Sequence, residues 1–210
     1  MKNSTKVLLS LLCVALCAFI FACASGGSSS SGGSGGAAAS GPSEGFLGKW
    51  TYEESADAGD GGSSTIAKTV ADEVIDGVTV KTYKFKGVVT DKAKYGLAQV
   101  AMTPDEETLA LFKTAKAISF KLLGDGRPYV IEAPISTVTD WGFHRYTIKT
   151  NPGEVQEYNI QMRMFMQPAW ATAVRFNQSR LTMLRIQTVN AAEGGVGPYE
   201  FKIWDIKVYQ

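Results

Sequence analysis

Aromatic and imidazole side chains are concentrated in the middle of this 210-residue chain, where they could bind a ligand by ring stacking. Aromatic rings stack on the C–H faces of sugars, while Asp, Arg and Gln side chains hydrogen-bond the hydroxyl groups. Alternate residues of a strand point to opposite faces, so packing in a core is the competing interpretation for each of them. The set comprises Tyr95, Tyr129, Trp141, Phe143, His144, Tyr146, Tyr158 and Trp170.

Carboxylate pairs are the other candidates for chemistry, and their spacing gives little support to catalysis. Glu53 and Glu54 are direct neighbours, and so are Glu106 and Glu107. The two carboxylates of a glycosidase instead flank the scissile bond, roughly 5–10 Å apart. The single histidine, His144, is not accompanied by a Gly-x-Ser-x-Gly nucleophile elbow. We therefore expect that the protein is not an enzyme.

The elements that must position these side chains are β-strands, because apolar and polar residues alternate over much of the chain. Period-two alternation with one apolar face is typical of half-buried strands. The alternating segments are 79–85, 118–122, 146–149, 154–162, 183–189 and 201–209. Asp76-Gly77 and Asp125-Gly126 predict hairpins, since these dipeptides accept the positive φ angles of tight primed turns.

One short helix is predicted within 103–112, where Thr103 can act as the cap and Pro104 suits the first helical position. Roughly ten evenly spaced strands with a single short helix indicate an all-β domain. We predict a two-sheet antiparallel β-sandwich of the jelly-roll type over residues 46–210. This length is ordinary for a single domain with a sizeable core.

Residues 1–22 have the order of parts of a secretory signal peptide. Lys2 and Lys6 form a basic start, and 7–22 is an apolar run shorter than the ~20 residues needed to span a bilayer. The run ends in Ile20-Phe21-Ala22-Cys23, which resembles a bacterial lipobox. The resemblance implies that Cys23 becomes the acylated N-terminus of a lipoprotein. An ordinary signal peptide or an uncleaved anchor is the alternative.

Residues 23–45 follow the lipobox and consist almost entirely of Gly, Ser and Ala, which predicts a flexible linker. The uncharged residues after the cysteine, by resemblance to bacterial lipoproteins, imply an anchor in the outer membrane of the cell envelope. Cleavage before Cys23 removes two lysines and no acid, which lowers the formal net charge from +1 to −1. A near-neutral chain offers no bulk attraction for nucleic acid.

Four clusters in the β-rich part of the chain occur in a recognisable order. They are Trp50-Thr51-Tyr52 followed by Asp60 to Thr65, Phe85-Lys86-Gly87 leading to Tyr95-Gly96-Leu97-Ala98, Gly124-Asp125-Gly126-Arg127-Pro128-Tyr129, and Phe201 to Ile206. In this order they resemble the CIA30 (complex I intermediate-associated protein 30) domain family and the related family 11 carbohydrate-binding modules. The resemblance covers essentially all of residues 46–210 and implies a galactose-binding-like jelly roll.

The resemblance also implies a ligand face on the concave sheet. Its candidate residues are Arg127, Tyr129, Trp141 and His144. The implied partner is a polysaccharide or other glycan of the β-glucan type, bound without cleavage. The alternative is an assembly or adhesion factor of the CIA30 type, which would bind a protein partner. A glycoside hydrolase is the third hypothesis.

Calcium is the usual structural metal in this class of carbohydrate module, so the resemblance makes a structural Ca²⁺ a candidate cofactor. Asp57 and Asp60 in the first loop, with Asp205 in the last strand, are the candidate ligands. The ion takes six to eight oxygen ligands, and no contiguous calcium loop is present. Solvated turn acids and a hydrogen-bonded Asp205 are the alternative. Thiolate and His-rich metal sites are excluded, because residues 24–210 contain no cysteine and one histidine.

Overall fold

The computed structural model describes residues 45–210, which form two antiparallel β-sheets around a shared core. The predicted all-β sandwich is confirmed. The predictions for the signal peptide, Cys23 and nearly all of the linker lie outside the described residues. Within residues 45–210, no helix is both long enough and apolar enough to cross a membrane.

Eleven strands and one α-helix make up the regular structure of the described residues. They are β1 (Phe46–Leu47), β2 (Trp50–Ala56), β3 (Thr65–Ile75), β4 (Val78–Val89), β5 (Ala98–Pro104), α1 (Glu106–Leu111), β6 (Ala117–Leu123), β7 (Pro128–Ala133), β8 (His144–Lys149), β9 (Val155–Gln161), β10 (Leu184–Thr188) and β11 (Gly197–Tyr209). Short 3₁₀ helices span Asp57–Asp60, Met162–Met164, Gln178–Arg180 and Ala191–Glu193. Each of the six alternating segments corresponds to one of these strands, as predicted.

The strands divide into a first sheet of six and a second sheet of five. The first sheet has the order β3-β4-β11-β6-β9, with β1 also paired to β11. The second sheet has the order β2-β5-β10-β7-β8. Neighbours in space are mostly distant in sequence, so the arrangement of strands depends on tertiary packing rather than on local turns.

The two Asp-Gly turns have different roles. Asp76 and Gly77 join β3 to β4 with φ angles of 53° and 78°, as a type I′ hairpin turn requires, so the first prediction is confirmed. Asp125-Gly126 joins β6 to β7, which belong to different sheets, so the prediction of a second hairpin is wrong. Asp125 stabilises this crossing because its carboxylate accepts hydrogen bonds from the backbone N–H groups of Arg127 (3.0 Å) and Glu200 (2.8 Å).

The helix begins later than predicted. Thr103 and Pro104 belong to β5, where they pair with Thr51 and Trp50. Asp105 is the cap instead, because its Oδ1 accepts a hydrogen bond of 2.9 Å from the backbone N–H of Thr108. A carboxylate that accepts hydrogen bonds favours its charged form, and the Thr108 contacts hold the pKa of Asp105 below its usual range.

The core lies between the two sheets and follows the alternation of the strands. On β5, Ala98, Val100 and Met102 are buried, whereas Gln99 and Thr103 point away from the core. Rings from the two sheets meet in this core, as where Tyr129 and Phe201 pack with centroids 4.9 Å apart. Residues paired across neighbouring strands share a face. The buried positions therefore also identify which residues form the outer face of each sheet.

Candidate ligand-binding face

A row of charged residues crosses the outer face of the second sheet. The strand register pairs Glu53 with Ala101, Ala101 with Arg185, and Arg185 with Glu132. It then pairs Glu132 with Arg145 on the edge strand β8. On the central strands β10 and β7, the residues on either side of this row are buried in the core, so the row itself points outward. We call Arg185, Glu132 and Arg145 the charged row.

Glu132 lies at the centre of the charged row and is only 7% exposed. Its Oε1 accepts a hydrogen bond of 3.1 Å from Gln187 Nε2, and its Oε2 lies 3.7 Å from Arg185 Nη1. Burial raises the pKa of the Glu132 carboxyl, while Arg185, Arg145 and Gln187 oppose that rise. A buried carboxylate needs such partners, and in return it holds their polar groups in fixed positions.

Arg185 has hydrogen-bonding capacity that the described residues do not use. Its guanidinium carbon lies 5.0 Å from the ring centroid of Phe143, which is cation–π distance. Phe143 therefore lies beside the outer end of this arginine. The Arg185 Nε is buried and has no hydrogen-bond partner among residues 45–210. An unpaired buried N–H costs about 1–3 kcal/mol.

Two tryptophans project from loops next to this face. Trp141 is 74% exposed, and its ring meets that of Phe143 edge-on at 6.1 Å. Its φ angle is +64°, a left-handed conformation that costs roughly 1–2 kcal/mol for a residue with a side chain. Trp170 is 66% exposed. We call residues 134–143 and 167–177 the tryptophan loops.

Polar side chains connect the two tryptophan loops. Asp140 accepts hydrogen bonds from the backbone N–H of Gly142 through Oδ1 (3.0 Å) and of Thr172 through Oδ2 (2.7 Å). These bonds hold the pKa of Asp140 below its usual range. Gln167 Nε2 donates to the carbonyls of Gly142 (2.8 Å) and Thr172 (3.2 Å). The exposed indoles are therefore carried on loops that are fixed relative to each other.

Of the four predicted ligand-binding residues, Trp141 has an exposed ring, Arg127 is partly buried, and the other two are buried. Tyr129 is fully buried on the core side of β7, and burial raises the pKa of its hydroxyl. His144 is 4% exposed on the core side of β8, and its ring lies 4.9 Å from that of Phe176. Neither ring can stack on a ligand at the outer face, because both strands direct these positions inward.

Arg127 acts as a clamp on the chain that leads into β11. Its Nη1 donates to the carbonyl of Pro198 (2.5 Å), and its Nη2 donates to those of Gly195 (2.6 Å) and Val196 (3.0 Å). These three hydrogen bonds use the guanidinium to fix the backbone of residues 195–198. The structure thus does not bring Arg127, Tyr129, Trp141 and His144 together on one open face.

The charged row and Trp170 were not among the predicted ligand-binding residues. A signal for Glu132 exists in the sequence, because it interrupts a strand that is otherwise apolar. Charged residues are almost never buried unless they are paired. A charge inside the apolar β7 therefore indicates that a partner group lies beside it.

The sequence matches the family model of Complex I intermediate-associated protein 30 (CIA30) over residues 44–203. The chain belongs to the CIA30 family. No curated protein matches it.

The CIA30 domain is similar in fold to one solved carbohydrate-binding module, and two further matches have TM-scores below 0.5. The family 11 carbohydrate-binding module of cellulosomal cellulase Lic26A-Cel5E of Clostridium thermocellum has a TM-score of 0.53 and 12% identity, covering 80% of this chain and 91% of that one. An exo-beta-agarase has a TM-score of 0.44 and 11% identity, covering 69% of this chain and 22% of that one. CBM29_1, a family 29 carbohydrate-binding module from Piromyces equi, has a TM-score of 0.33 and 7% identity, covering 75% of this chain and 90% of that one. The jelly-roll resemblance is confirmed at the level of the fold.

The first two sequence clusters of the CIA30 domain meet at Asp57. This buried carboxylate accepts hydrogen bonds from Ser64 through its backbone N–H (2.8 Å) and its hydroxyl (2.6 Å). A Cβ added at Gly62 or at Gly96 would lie 2.1 or 2.2 Å from Asp57 side-chain atoms. Both positions therefore require glycine, and Asp57 is the anchor of the first loop.

The candidate calcium ligands of the CIA30 domain do not form a calcium site. Asp57 already has both oxygens engaged, and Asp205 lies at a β-bulge in β11, 3.5 Å from Lys121 Nζ. Asp60 belongs to the 3₁₀ helix that follows β2. In the described part of the chain, no group of three or more His, Cys, Asp or Glu side chains could hold a metal ion. These surroundings do not fit an ion that takes six to eight oxygen ligands.

Proposed function

We propose that this protein binds a polysaccharide of the β-glucan type on the outer face of its second sheet and does not cleave it. The observation that carries the proposal is Trp141, a residue that is strained, exposed and beside the charged row. Strained backbone conformations cluster at functional sites, where the surrounding structure maintains them. Trp141 and Trp170 supply stacking surfaces, and the charged row with Gln187 supplies hydrogen bonds to sugar hydroxyls.

The proposal that the sugar is bound without cleavage is supported by the spacing of the carboxylates. Glu132 and Glu53 belong to the same transverse row but lie three strands apart. At about 4.8 Å per strand, this separation is roughly 14 Å, which exceeds that of glycosidase carboxylates. Glu132 is in addition engaged by Gln187 and Arg185. Its role in the proposal is to orient the arginines and to accept a hydroxyl hydrogen bond.

The proposal extends to a lipid anchor in the cell envelope. Its support is the basic start, the apolar run and the lipobox-like sequence that ends at Cys23. Two or three acyl chains would anchor the protein stably, since each buried methylene contributes about 0.8 kcal/mol. Expression in a bacterial host with labelled palmitate should label the full chain and not the Cys23→Ser variant. Equal labelling of both would overturn the anchor and leave the sugar-binding proposal intact.

Binding to insoluble polysaccharides and to a glycan array tests the sugar-binding proposal. We expect retention of the wild type, and a loss of about tenfold or more in affinity for Trp141→Gly, as for other central aromatic contacts. Tyr95→Ala is the matched control, because Tyr95 is also an exposed aromatic (65%) and lies at the opposite end of the second sheet.

A protein partner retained in the presence of free sugar, with no glycan bound, would favour the assembly-factor alternative. Turnover of the polysaccharide would overturn the non-catalytic part.

A further inference from the structure

A cavity of about 770 Å³ lies where β6 begins and β9 ends, on the first sheet and apart from the charged row. The side chains that give it chemical character are Lys116, Arg163, Arg175, Asn159, Gln161 and Phe176. Three of these six are cations, and no carboxylate lines the cavity. Its walls therefore carry a local excess of positive charge in a protein of formal net charge +1.

The cavity is built on a fixed backbone. Lys116 donates its backbone N–H to the carbonyl of Tyr209 (2.7 Å) and accepts from the N–H of Met162 (2.8 Å). Arg163 follows in the 3₁₀ helix Met162–Met164. Phe176, from a separate segment of the chain, is held by its ring contact with Phe165 at 5.9 Å. The cations of the cavity thus come from separate segments of the chain.

The three cations are not neutralised within residues 45–210, since none of them forms an ion pair there. Other lysines of the first sheet are paired closely, as Lys84 with Glu200 (2.6 Å) and Lys202 with Glu73 (2.7 Å). All three cations are exposed, so an anion can reach them, and the attraction is strongest at low salt. The cavity therefore has the charge and volume to hold an anionic group.

We propose that this cavity binds the carboxylate or sulfate group of an acidic sugar unit in a polysaccharide. Guanidinium groups present paired N–H donors that match the oxygens of a carboxylate or sulfate. Asn159 and Gln161 provide both donors and acceptors for the neighbouring hydroxyls, and Phe176 provides a ring for the sugar face. Three cations are few for a nucleic acid, whose binding depends on many phosphate contacts.

The cavity shares Arg175 and Phe176 with the second tryptophan loop, but neither Trp141, Trp170 nor the charged row lines it. Its test therefore separates from that of the proposed function. Calorimetry at low salt would compare trigalacturonate with its fully methyl-esterified form, which differs by the loss of charge, and with a sulfated galactan oligosaccharide. We expect binding of at least one acidic probe and none of the neutral ester. Arg163→Ala combined with Arg175→Ala should weaken that binding at least about tenfold, the effect of losing a charge-assisted hydrogen bond.

The matched control is Lys81→Ala combined with Lys92→Ala, which removes the same charge from exposed positions outside the cavity lining. This control and Trp141→Gly should both leave the affinity for the acidic probe unchanged. The proposal would be overturned if the neutral ester bound as tightly as the acidic probe, or if the control variant lost as much affinity as the arginine variant. It would also be overturned if inorganic sulfate or phosphate alone bound as tightly as the acidic sugar. Binding of anionic lipid vesicles without binding of any acidic sugar would overturn it too.

Discussion

Arg185 and Glu132 face each other across β10 and β7, with Nη1 and Oε2 3.7 Å apart on the outer face of the second sheet. Neither side chain is fully satisfied by this contact, because the Arg185 Nε has no partner in the described chain and burial raises the pKa of Glu132. An arrangement that leaves polar groups fixed and incompletely bonded is suited to receiving a polar ligand.

Replacing Glu132 by Gln should change how stability depends on pH. Because the folded pKa of Glu132 is raised above 4.5, the folded state binds more protons than the unfolded state between 4.5 and the folded pKa. This carboxyl therefore loses stabilising effect as the pH rises through that window. The free energy of unfolding of Glu132→Gln, relative to wild type, should increase from pH 4 to pH 7 in urea titrations.

The matched control for this experiment is Glu53→Gln, an exposed carboxylate of the same transverse row. The pH dependence measured for Glu53→Gln is the reference against which that of Glu132→Gln is compared. A constant difference between Glu132→Gln and wild type would show that burial does not perturb Glu132.

Trp141→Gly should stabilise the fold while weakening sugar binding about tenfold or more. Glycine adopts a φ of +64° without the steric cost that a side chain brings, which is worth about 1 kcal/mol. Trp141→Ala keeps the strained backbone, so it should lose binding without the gain in stability. Thermal unfolding and affinity measured on both variants check this prediction. A glycine variant less stable than the alanine variant would contradict the role of strain.

The positions of the strands were predictable from the sequence, but which face of each strand is buried was not. Alternation located β4, β6 and β11, because period two is a local property of the chain. Tyr129 and His144 follow the same alternation and point inward, since the partner sheet decides which parity is buried. Asp125-Gly126 has the composition of a hairpin turn, yet it crosses between the sheets. The charged row depends on the pairing of β10 with β7, two strands that are distant in sequence, which no local pattern specifies.

His144 should make the protein less stable in mild acid. Burial lowers the pKa of this imidazole, and a backbone hydrogen bond at Val174 opposes the shift. Below about pH 6.5, the ordinary pKa of histidine, the unfolded state takes up a proton that the folded state resists. The free energy of unfolding therefore decreases as the pH is lowered. His144→Phe should reduce the loss in melting temperature between pH 7.5 and 5.5. An unchanged loss would contradict this prediction, and sugar affinity at pH 7.5 should stay the same because the ring lies in the core.

Arg127→Lys should loosen the segment before β11 without removing the sugar site. Lysine retains the charge but cannot reach the carbonyls of Gly195, Val196 and Pro198 with a planar fork of donors. We expect a loss of about 1–3 kcal/mol in the free energy of unfolding and faster amide exchange in this segment. A variant with wild-type stability but lost sugar binding would instead assign Arg127 to the ligand.

Gly96→Ala should destabilise the first loop through Asp57. The new methyl group would lie 2.2 Å from Oδ2 of Asp57, and this crowding costs about 1–3 kcal/mol. Because the clash involves the carboxylate, Asp57→Ala should remove most of that cost, although it also frees Ser64 from two hydrogen bonds. A double-mutant cycle on the free energy of unfolding therefore should show strong non-additivity. Additive losses would mean that Gly96 is required by the backbone of Thr90 and Ala93, which also lie close to the added atom, rather than by Asp57.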